Sequence, residues 1–318
     1  MTSSSRRALV TGIGGQDGSY LAERLLAEGT DVHALVLHDE AQPPYCPPEV
    51  TLHVGDLADV AATRRLVLDL APDEVYNLAA ISSVAQSWAE PDVVSRVNGH
   101  AAVALLESAR QVGDHVRVVQ ASSAEIFGEP DQMPQTERTP VRPLNPYGAA
   151  KAYAHLSVAV QRRRGLHASS LILYNHESPR RPTRFVTRKI TAGVAAIAQG
   201  RASELVLGNL DARRDWGWAP DYVDAMVRAA RTDEPDDYVI ATGVSHTVRE
   251  FVAAAFAAAG VEDWEGFVRQ DAALLRPADA GELVGDAALA RDVLGWSPTV
   301  AFEEVVARMV AADLPAGA

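Results

Sequence analysis

The chain has 318 residues, a hydrophobic share of 47% and a formal net charge of −13. That size supports one large or two modest domains around a sizeable core, and the acidic balance argues against non-specific binding to nucleic acid or an anionic membrane surface. The single cysteine, Cys46 in "QPPYCPP", allows no intramolecular disulfide and no thiolate-rich zinc site, so it reads as an exposed loop thiol and no metal site is expected.

At the N-terminus "MTSSSRR" passes directly into the strand-like "ALVTG", and no stretch approaches the roughly 20 apolar residues of a membrane helix. The expectation is a cytoplasmic protein without a membrane partner. Short β-branched runs then alternate with helical patterns. "RRALVTG" precedes a helix after Gly18; "DVHALVL" and "VTLHVGD" follow, then "VAATRRLVLDL". "DEVYNLAA" leads to the long pattern "DVVSRVNGHAAVALLESARQVG", and "HVRVVQASS" to "PYGAAKAYAHLSVAVQRRRG", before "HASSLILYN". This repetition predicts an α/β fold, a doubly wound parallel sheet of the Rossmann type, over residues 1–174 with later segments returning to it. Beyond Tyr174 the alternation breaks down, with amphipathic helices near "FVTRKITAGVAAIAQG", "APDYVDAMVRAARTD", "VREFVAAAFAAAG" and "AFEEVVARMVAADL". Residues 175–318 therefore read mainly as a smaller substrate-binding region.

Gly12, Gly15 and Gly18 follow the first predicted strand and open the first predicted helix. Glycine permits a tight turn and close backbone approach to a pyrophosphate, while the helix N-terminus offers N–H groups and a favourable dipole. The spacing is G-x-x-G-x-x-G, and its place in a βαβ unit makes it a dinucleotide-binding turn. "GDL" at 55–57 and "NLAA" at 77–80 end the next strands on the same carboxyl edge. The second strand ends in Leu37, where an acid would grip a ribose diol or an arginine a 2′-phosphate; His38 and Asp39 next to it are either substitutes or plain loop residues.

Tyr147 and Lys151, four residues apart, fall on one face of a helix starting near Pro146. This is the Tyr-x-x-x-Lys pairing of short-chain dehydrogenases, in which a nearby ammonium is expected to lower the phenol's pKa until it serves as a base. Ser123 and Glu125 close the fifth strand, two residues apart and hence on one side of extended chain. A serine suffices to hold a substrate oxygen. The carboxyl adds the means to take a proton from carbon and return it to a departing hydroxyl.

With these residues in view, the chain resembles the extended short-chain dehydrogenase/reductase group and, within it, the GDP-mannose 4,6-dehydratases. The resemblance rests on "TGIGGQDGSYLAE", "SSAEIFGE", "PYGAAKAYAH", "NHESPRR", "FVTRKI", "GNLDARRDWG", "DEPDDYVIATG", "VREFV" and the "RP" at 276–277, spread over about residues 8–305. It implies a lyase that borrows hydride from its own nucleotide-sugar substrate and gives it back, with NADP or NAD held tightly and recycled. Tyr147 with Lys151 would serve O4, and Glu125 with Ser123 would serve C5 and C6. Gly12, Gly15, Gln16, Asp17, Gly18, Asp56, Leu57, Leu78, Ala79, Ala80, Ser82, Tyr147, Lys151, His176 and Arg181 would contact the cofactor. Ser82, Asn175, Val186, Lys189, Arg214, Arg276 and Asp279 would hold the sugar nucleotide, the cations suiting its diphosphate.

Departures from the family pattern bear on particular expectations. Ser123 replaces the usual threonine, and Leu37 with His38 replaces paired arginines, leaving NAD and NADP both open. Asp279 replaces a glutamate and Trp218 a histidine, both expected near the sugar or nucleotide, so a related GDP-heptose is an alternative to GDP-mannose. The short loop "HDEAQPPYCPPE" favours a homodimer through the helices near 92–112 and 147–164 over a tetramer. Two competing classes are a nucleotide-sugar 4-reductase or 4-epimerase, the former suggested by "AAISSVAQSW", and a catalytically silent nucleotide-binding protein.

Overall fold

A computed structural model describes residues 6–37, 43–274 and 281–314. Its strands are Arg7–Thr11 (β1), Asp31–Val36 (β2), Thr51–Val54 (β3), Glu74–Asn77 (β4), Arg117–Ala121 (β5), His167–Leu173 (β6), Asn175–Glu177 (β7), Leu205–Leu207 (β8), Arg213–Trp218 (β9), Asp237–Ile240 (β10), Ser245–Thr247 (β11), Val268–Gln270 (β12) and Glu282–Leu283 (β13). Seven of them form one parallel sheet in the order β10-β6-β5-β4-β1-β2-β3. The central strands are apolar runs, such as "ALVT" within β1 and "VVQA" within β5, because both faces of a parallel sheet are covered. The order reverses between β1 and β4. Above their carboxyl ends lies the crevice where open α/β sheets take ligands.

The helices of this half are Gln16–Ala27 (α1), Val60–Leu70 (α2), Val84–Ala89 (α3), Pro91–Val94 (α4), Ala101–Val112 (α5) and Pro146–Arg162 (α6). The predicted long helix near 92–112 is α4 and α5 joined by a wider π-helical stretch, Ser95–His100. Such bulges insert a residue and re-aim side chains. Here the bulge carries Asn98, whose role appears below.

Past residue 174 the chain moves between the large sheet and a second lobe. Helix Val186–Ala198 (α7), the β7–β9–β11–β13 sheet, helix Val248–Ala258 (α9 once Ala219–Arg231 is counted as α8) and helix Phe302–Asp313 (the last helix) build a separate apolar core around Trp216, Phe251, Phe256 and Met309. Arg188 of α7 reaches across to Asp313, donating from Nη2 to Oδ1 at 2.6 Å and from Nη1 to the other oxygen. In contrast α8, β10 and residues 287–296 return to the first core, where Tyr222, Met226, Ile240, Ala290 and Trp296 pack with β1 and α1 residues such as Val10 and Leu21. Among the described residues no helix is long and apolar enough to cross a membrane.

Candidate active site

The β1–α1 turn is built around its glycines. Gly12 sits at φ +78, and a Cβ there would stand 2.8 Å from the Ala79 nitrogen in the loop after β4. A Cβ on Gly18 would meet the Gly12 carbonyl oxygen at 2.2 Å, and one on Gly15 the same oxygen at 3.2 Å. Gly15 is the N-cap of α1 and no side chain caps this helix end. The turn is therefore a close-packed backbone cradle at the N-terminus of α1, a helix end that no side chain caps, which fits a pyrophosphate. The neighbouring loop is pinned from both sides: Thr11 Oγ1 accepts from the Ala79 N–H at 3.1 Å, while Asn98 donates to the Ile81 carbonyl and accepts from the Ile81 N–H. Leu78, Ala79, Ala80 and Ser82 of this loop are half-buried at the crevice.

Behind the turn lies a buried polar cluster. Asp17 accepts from His176 Nε2 at 2.8 Å, and His176 Nδ1 contacts the Tyr174 carbonyl at 2.7 Å, so both ring nitrogens face acceptors and the ring suits the imidazolium form. Burial alone would depress His176, but the charge and hydrogen bond of Asp17 outweigh it and raise its pKa. Burial likewise opposes ionisation of Asp17, yet His176, Gln16 and Arg181 together hold it below the usual carboxylate range. Gln16 donates to the His176 carbonyl at 3.0 Å and accepts from the Ser178 hydroxyl at 2.9 Å. Tyr222 stacks under the His176 ring at 4.4 Å. The "NHESPRR" stretch is thus bound to the cofactor turn 160 residues earlier in the chain.

The residues expected to react converge on the carboxyl end of β5. Ser123 Oγ accepts from the Glu125 N–H at 3.3 Å, capping the single turn Ala124–Ile126, and the Ser123 side chain lies near enough to the Tyr147 phenol to favour its ionised form. Helix α6 seats against that turn so closely that a Cβ on Gly148 would lie 2.5 Å from the Glu125 carbonyl oxygen. Asn145, the N-cap of α6, accepts from the Gly148 N–H through Oδ1 at 2.8 Å and donates from Nδ2 to Glu125 Oε2 at 2.8 Å. Sequence reading passed over Asn145, although an Asn just before a helix-opening Pro is a capping signal.

The expected electrostatics of the Tyr–Lys pair need correction. Burial pushes Tyr147 up to about 12, assisted by the charges of Glu125 and Asp17 and opposed by Ser123 and Arg181. Lys151 donates to the Ala121 carbonyl at 2.8 Å, its nitrogen lies 5.9 Å from the centre of the Tyr147 ring, and burial brings it down to about 8. Desolvation, which helical spacing cannot report, is the largest influence on the phenol and sets the direction of its shift.

The other expected site residues scatter more widely. Asp56 and Leu57 follow β3; Asp56 borders a cavity of about 350 Å³ shared with His53, Leu35 and Thr63, and Leu57 is buried. Arg181 lies over the Phe185 ring and pairs with the buried Glu177 at 3.3 Å. Asn175 on β7 is opposite Trp216, two residues from Arg214 on β9, while Val186 and Lys189 sit in the first turns of α7. Arg214 is itself buried and donates to the Arg213 carbonyl at 2.7 Å. Trp218 faces the last helix, with Arg308 over its ring, and belongs to the second core. Cys46, expected to be exposed, is half-buried against the first core, which pushes its thiol up. Leu37, just past the end of β2, is about half exposed, whereas His38, Asp39, Arg276 and Asp279 lie outside the described residues. Among the described residues no group of three or more His, Cys, Asp or Glu is arranged to hold a metal.

The family model for GDP-mannose 4,6-dehydratase matches residues 9–309. The chain belongs to the GDP-mannose 4,6-dehydratase family. GDP-mannose 4,6 dehydratase 1 of Arabidopsis thaliana is 44% identical, with 96% of this chain and 89% of that protein covered. Two solved structures carry the same architecture. The Thermus thermophilus UDP-glucose 4-epimerase complexed with NAD matches at TM-score 0.84 and 30% identity over 96% of this chain and 98% of that one. DesIV, a dTDP-glucose 4,6-dehydratase from Streptomyces venezuelae with NAD and TYD bound, matches at TM-score 0.82 and 27% identity over 96% of each chain.

Proposed function

We propose that this member of the family removes water from a GDP-linked hexose, GDP-mannose first among them, to leave the 4-keto-6-deoxy sugar. The observation that carries the reading is the meeting of Glu125 with Tyr147 and Ser123 at the end of β5, over a glycine turn built for a dinucleotide. A reductase or epimerase needs a phenol and a hydroxyl there; the added carboxyl is what elimination requires. The NAD-bound neighbours and the backbone cradle support a nicotinamide dinucleotide, with Gly12, Gly15 and Gly18 along its pyrophosphate and the 78–82 loop beside it. When bound, that cofactor would supply a reversible hydride acceptor, able to hold the C4 hydride until C6 can receive it.

The chain's own groups manage the protons. Tyr147, in its ionised form, takes the O4 proton. Ser123 holds O4 as it becomes a ketone oxygen. The ketone acidifies C5–H; the Glu125 carboxylate removes that proton, the freed pair forms the C5–C6 double bond, and the C6–O bond breaks. Glu125 then gives the proton to the leaving hydroxyl, which departs as water, and C5, left with an electron pair once hydride has been delivered to C6, takes a proton from solvent, balanced by the O4 proton that Tyr147 releases. Lys189 and Arg214 are proposed to hold the diphosphate, with Asn175 and Val186 along the sugar nucleotide.

The outward face of α6 supports a homodimer: Tyr153, Leu156 and Val160 are each about half exposed at helical spacing, with Trp88 and Val93 exposed nearby. Incubating GDP-mannose with the purified protein, with no reductant added, tests the enzymatic reading by mass spectrometry and NMR. Loss of one water with a C4 ketone and a C6 methyl is the expected result. Unchanged GDP-mannose and unchanged GDP-heptoses would overturn it, and steady consumption of reduced nicotinamide with a keto-sugar would establish a reductase instead.

A further inference from the structure

We infer that Asn145 is the positioning residue for Glu125, a single amide that fixes the elimination carboxylate relative to the Tyr147–Lys151 helix. The inference rests on the proposed dehydratase reading for its chemistry and on geometry for its substance. A backbone N–H can only donate, so the Asn145 atom bound to the Gly148 N–H is its oxygen. The other arm is then necessarily the NH₂, which can only donate, and it points at Glu125 Oε2 at 2.8 Å. The amide is buried, and both arms are engaged.

This arrangement has three consequences. Asn145 orients one carboxylate oxygen and leaves the other, Oε1, for the substrate. Its NH₂ engages Oε2 as an acceptor and so fixes the plane of the carboxylate. And because the same residue caps α6, the spacing between Glu125 and Tyr147 is set by one rigid group instead of two independent ones. Glu125 is further held at its N–H by Ser123, so the side chain is fixed from both ends. A hydrogen-bonded partner that holds a reacting group within a fraction of an ångström governs rate more than binding.

The test separates the cap from the clamp. Serine and aspartate both cap helices well, so N145S and N145D should fold, melt within a few degrees of the parent and bind cofactor alike. N145S lacks the amide that reaches Glu125. Its kcat on GDP-mannose is expected to fall about 10–100-fold with KM within about threefold, reduced nicotinamide accumulating in a single turnover and exchange of the C5 proton with D₂O slowing in parallel. N145D places a second carboxylate beside Glu125, and the acid limb of kcat against pH should move up by about one unit. The charged and titratable groups nearby, Tyr147 and Lys151 on the same helix and the Arg181 and Asp17 that act on Tyr147, are unchanged in both variants. Parental kcat and C5 exchange in N145S would overturn the inference. A crystal structure of N145S with cofactor alone supplies an independent arm: a Glu125 carboxylate in the parental position overturns the clamp even for a parent that leaves GDP-mannose untouched, whereas a displaced one supports it. Failure of the clamp and failure of the dehydratase reading are thereby told apart.

Discussion

Gly18→Ala offers the most searching test of the cofactor turn. The added methyl would stand 2.2 Å from the Gly12 carbonyl oxygen, 2.8 Å from Ile13 Cα and 2.9 Å from the Gly12 carbonyl carbon. Ordinary contact between carbon and oxygen begins near roughly 3.3 Å, so the overlap approaches about 1 Å, and every obstructing atom is backbone. No rotamer change relieves it; α1 must move away from the end of β1. Overpacking of this kind costs about 1–3 kcal/mol. With an unfolding entropy of about 2.1 cal/mol/K per residue, a chain of this length loses about 1.5 °C per kcal/mol, so the melting temperature should fall by about 2–5 °C. The displaced N–H groups are those proposed to meet the pyrophosphate, and the cofactor should bind at least about tenfold more weakly, since about 1.4 kcal/mol is a tenfold change. Two controls bracket the effect. Gly15→Ala brings its methyl only to 3.2 Å of the same oxygen and should be milder, while Gly29→Ala, at φ +77 with no neighbour within 4 Å, should cost about 1–2 kcal/mol of stability and nothing in cofactor affinity. Calorimetric titration of the cofactor beside thermal melts decides the matter. A Gly18→Ala protein that melts and binds like the parent would refute the cradle argument.

Glu125→Gln is expected to abolish water loss from GDP-mannose while cofactor affinity stays within about twofold; turnover at the parental rate would remove Glu125 from the elimination. His176→Gln should destabilise the protein by about 3 kcal/mol at pH 6, where the buried pair is charged, and by less at pH 9. The sign follows from the shifts: His176 is raised, so its contribution is complete below about 6.5 and lost as pH climbs through its folded value, while Asp17 is lowered and its contribution fails only in acid. Equal losses of melting temperature at both pH values would count against an imidazolium there. Leu156→Glu with Val160→Glu should give a monomer by light scattering, with the fold retained by circular dichroism; an unchanged mass would locate any dimer contact elsewhere.

The parts of the site legible in the sequence are those whose chemistry repeats at short range. Gly12, Gly15 and Gly18 sit within one turn, and Tyr147 and Lys151 within another, so strand and helix periods suffice to place them. The central strands are legible for the same reason, β1, β4, β5 and β6 each carrying an apolar run, whereas nothing local in β10, which returns from beyond residue 174, marks the sheet it joins. What escaped is long-range. The contact of Asp17 with His176 spans 159 residues, and nothing local in "GQDG" or "NHES" marks the two as partners. The Thr11–Asn77–Gln120 chain, with hydrogen bonds of 2.7 Å at each link, joins three strands whose polar ends read individually as ordinary termini. The rise of the Tyr147 phenol is not legible because burial is a property of the folded chain, and the packing of the Trp218 ring beneath Arg308 of the last helix is equally long-range.

The repeated passage of the chain between the two cores has a mechanical meaning. Strand β10 and helix α8 are inserted into the large sheet's half from within the stretch that otherwise builds the second lobe, so the lobes share several covalent tethers and no single linker. Neither can be excised as an autonomous unit by one cut near residue 174, nor swapped with a relative's as a cassette. Relative rotation must instead be taken up by all the tethers together, which confines breathing of the crevice to small, concerted displacements and favours retention of a cofactor between its two half-reactions.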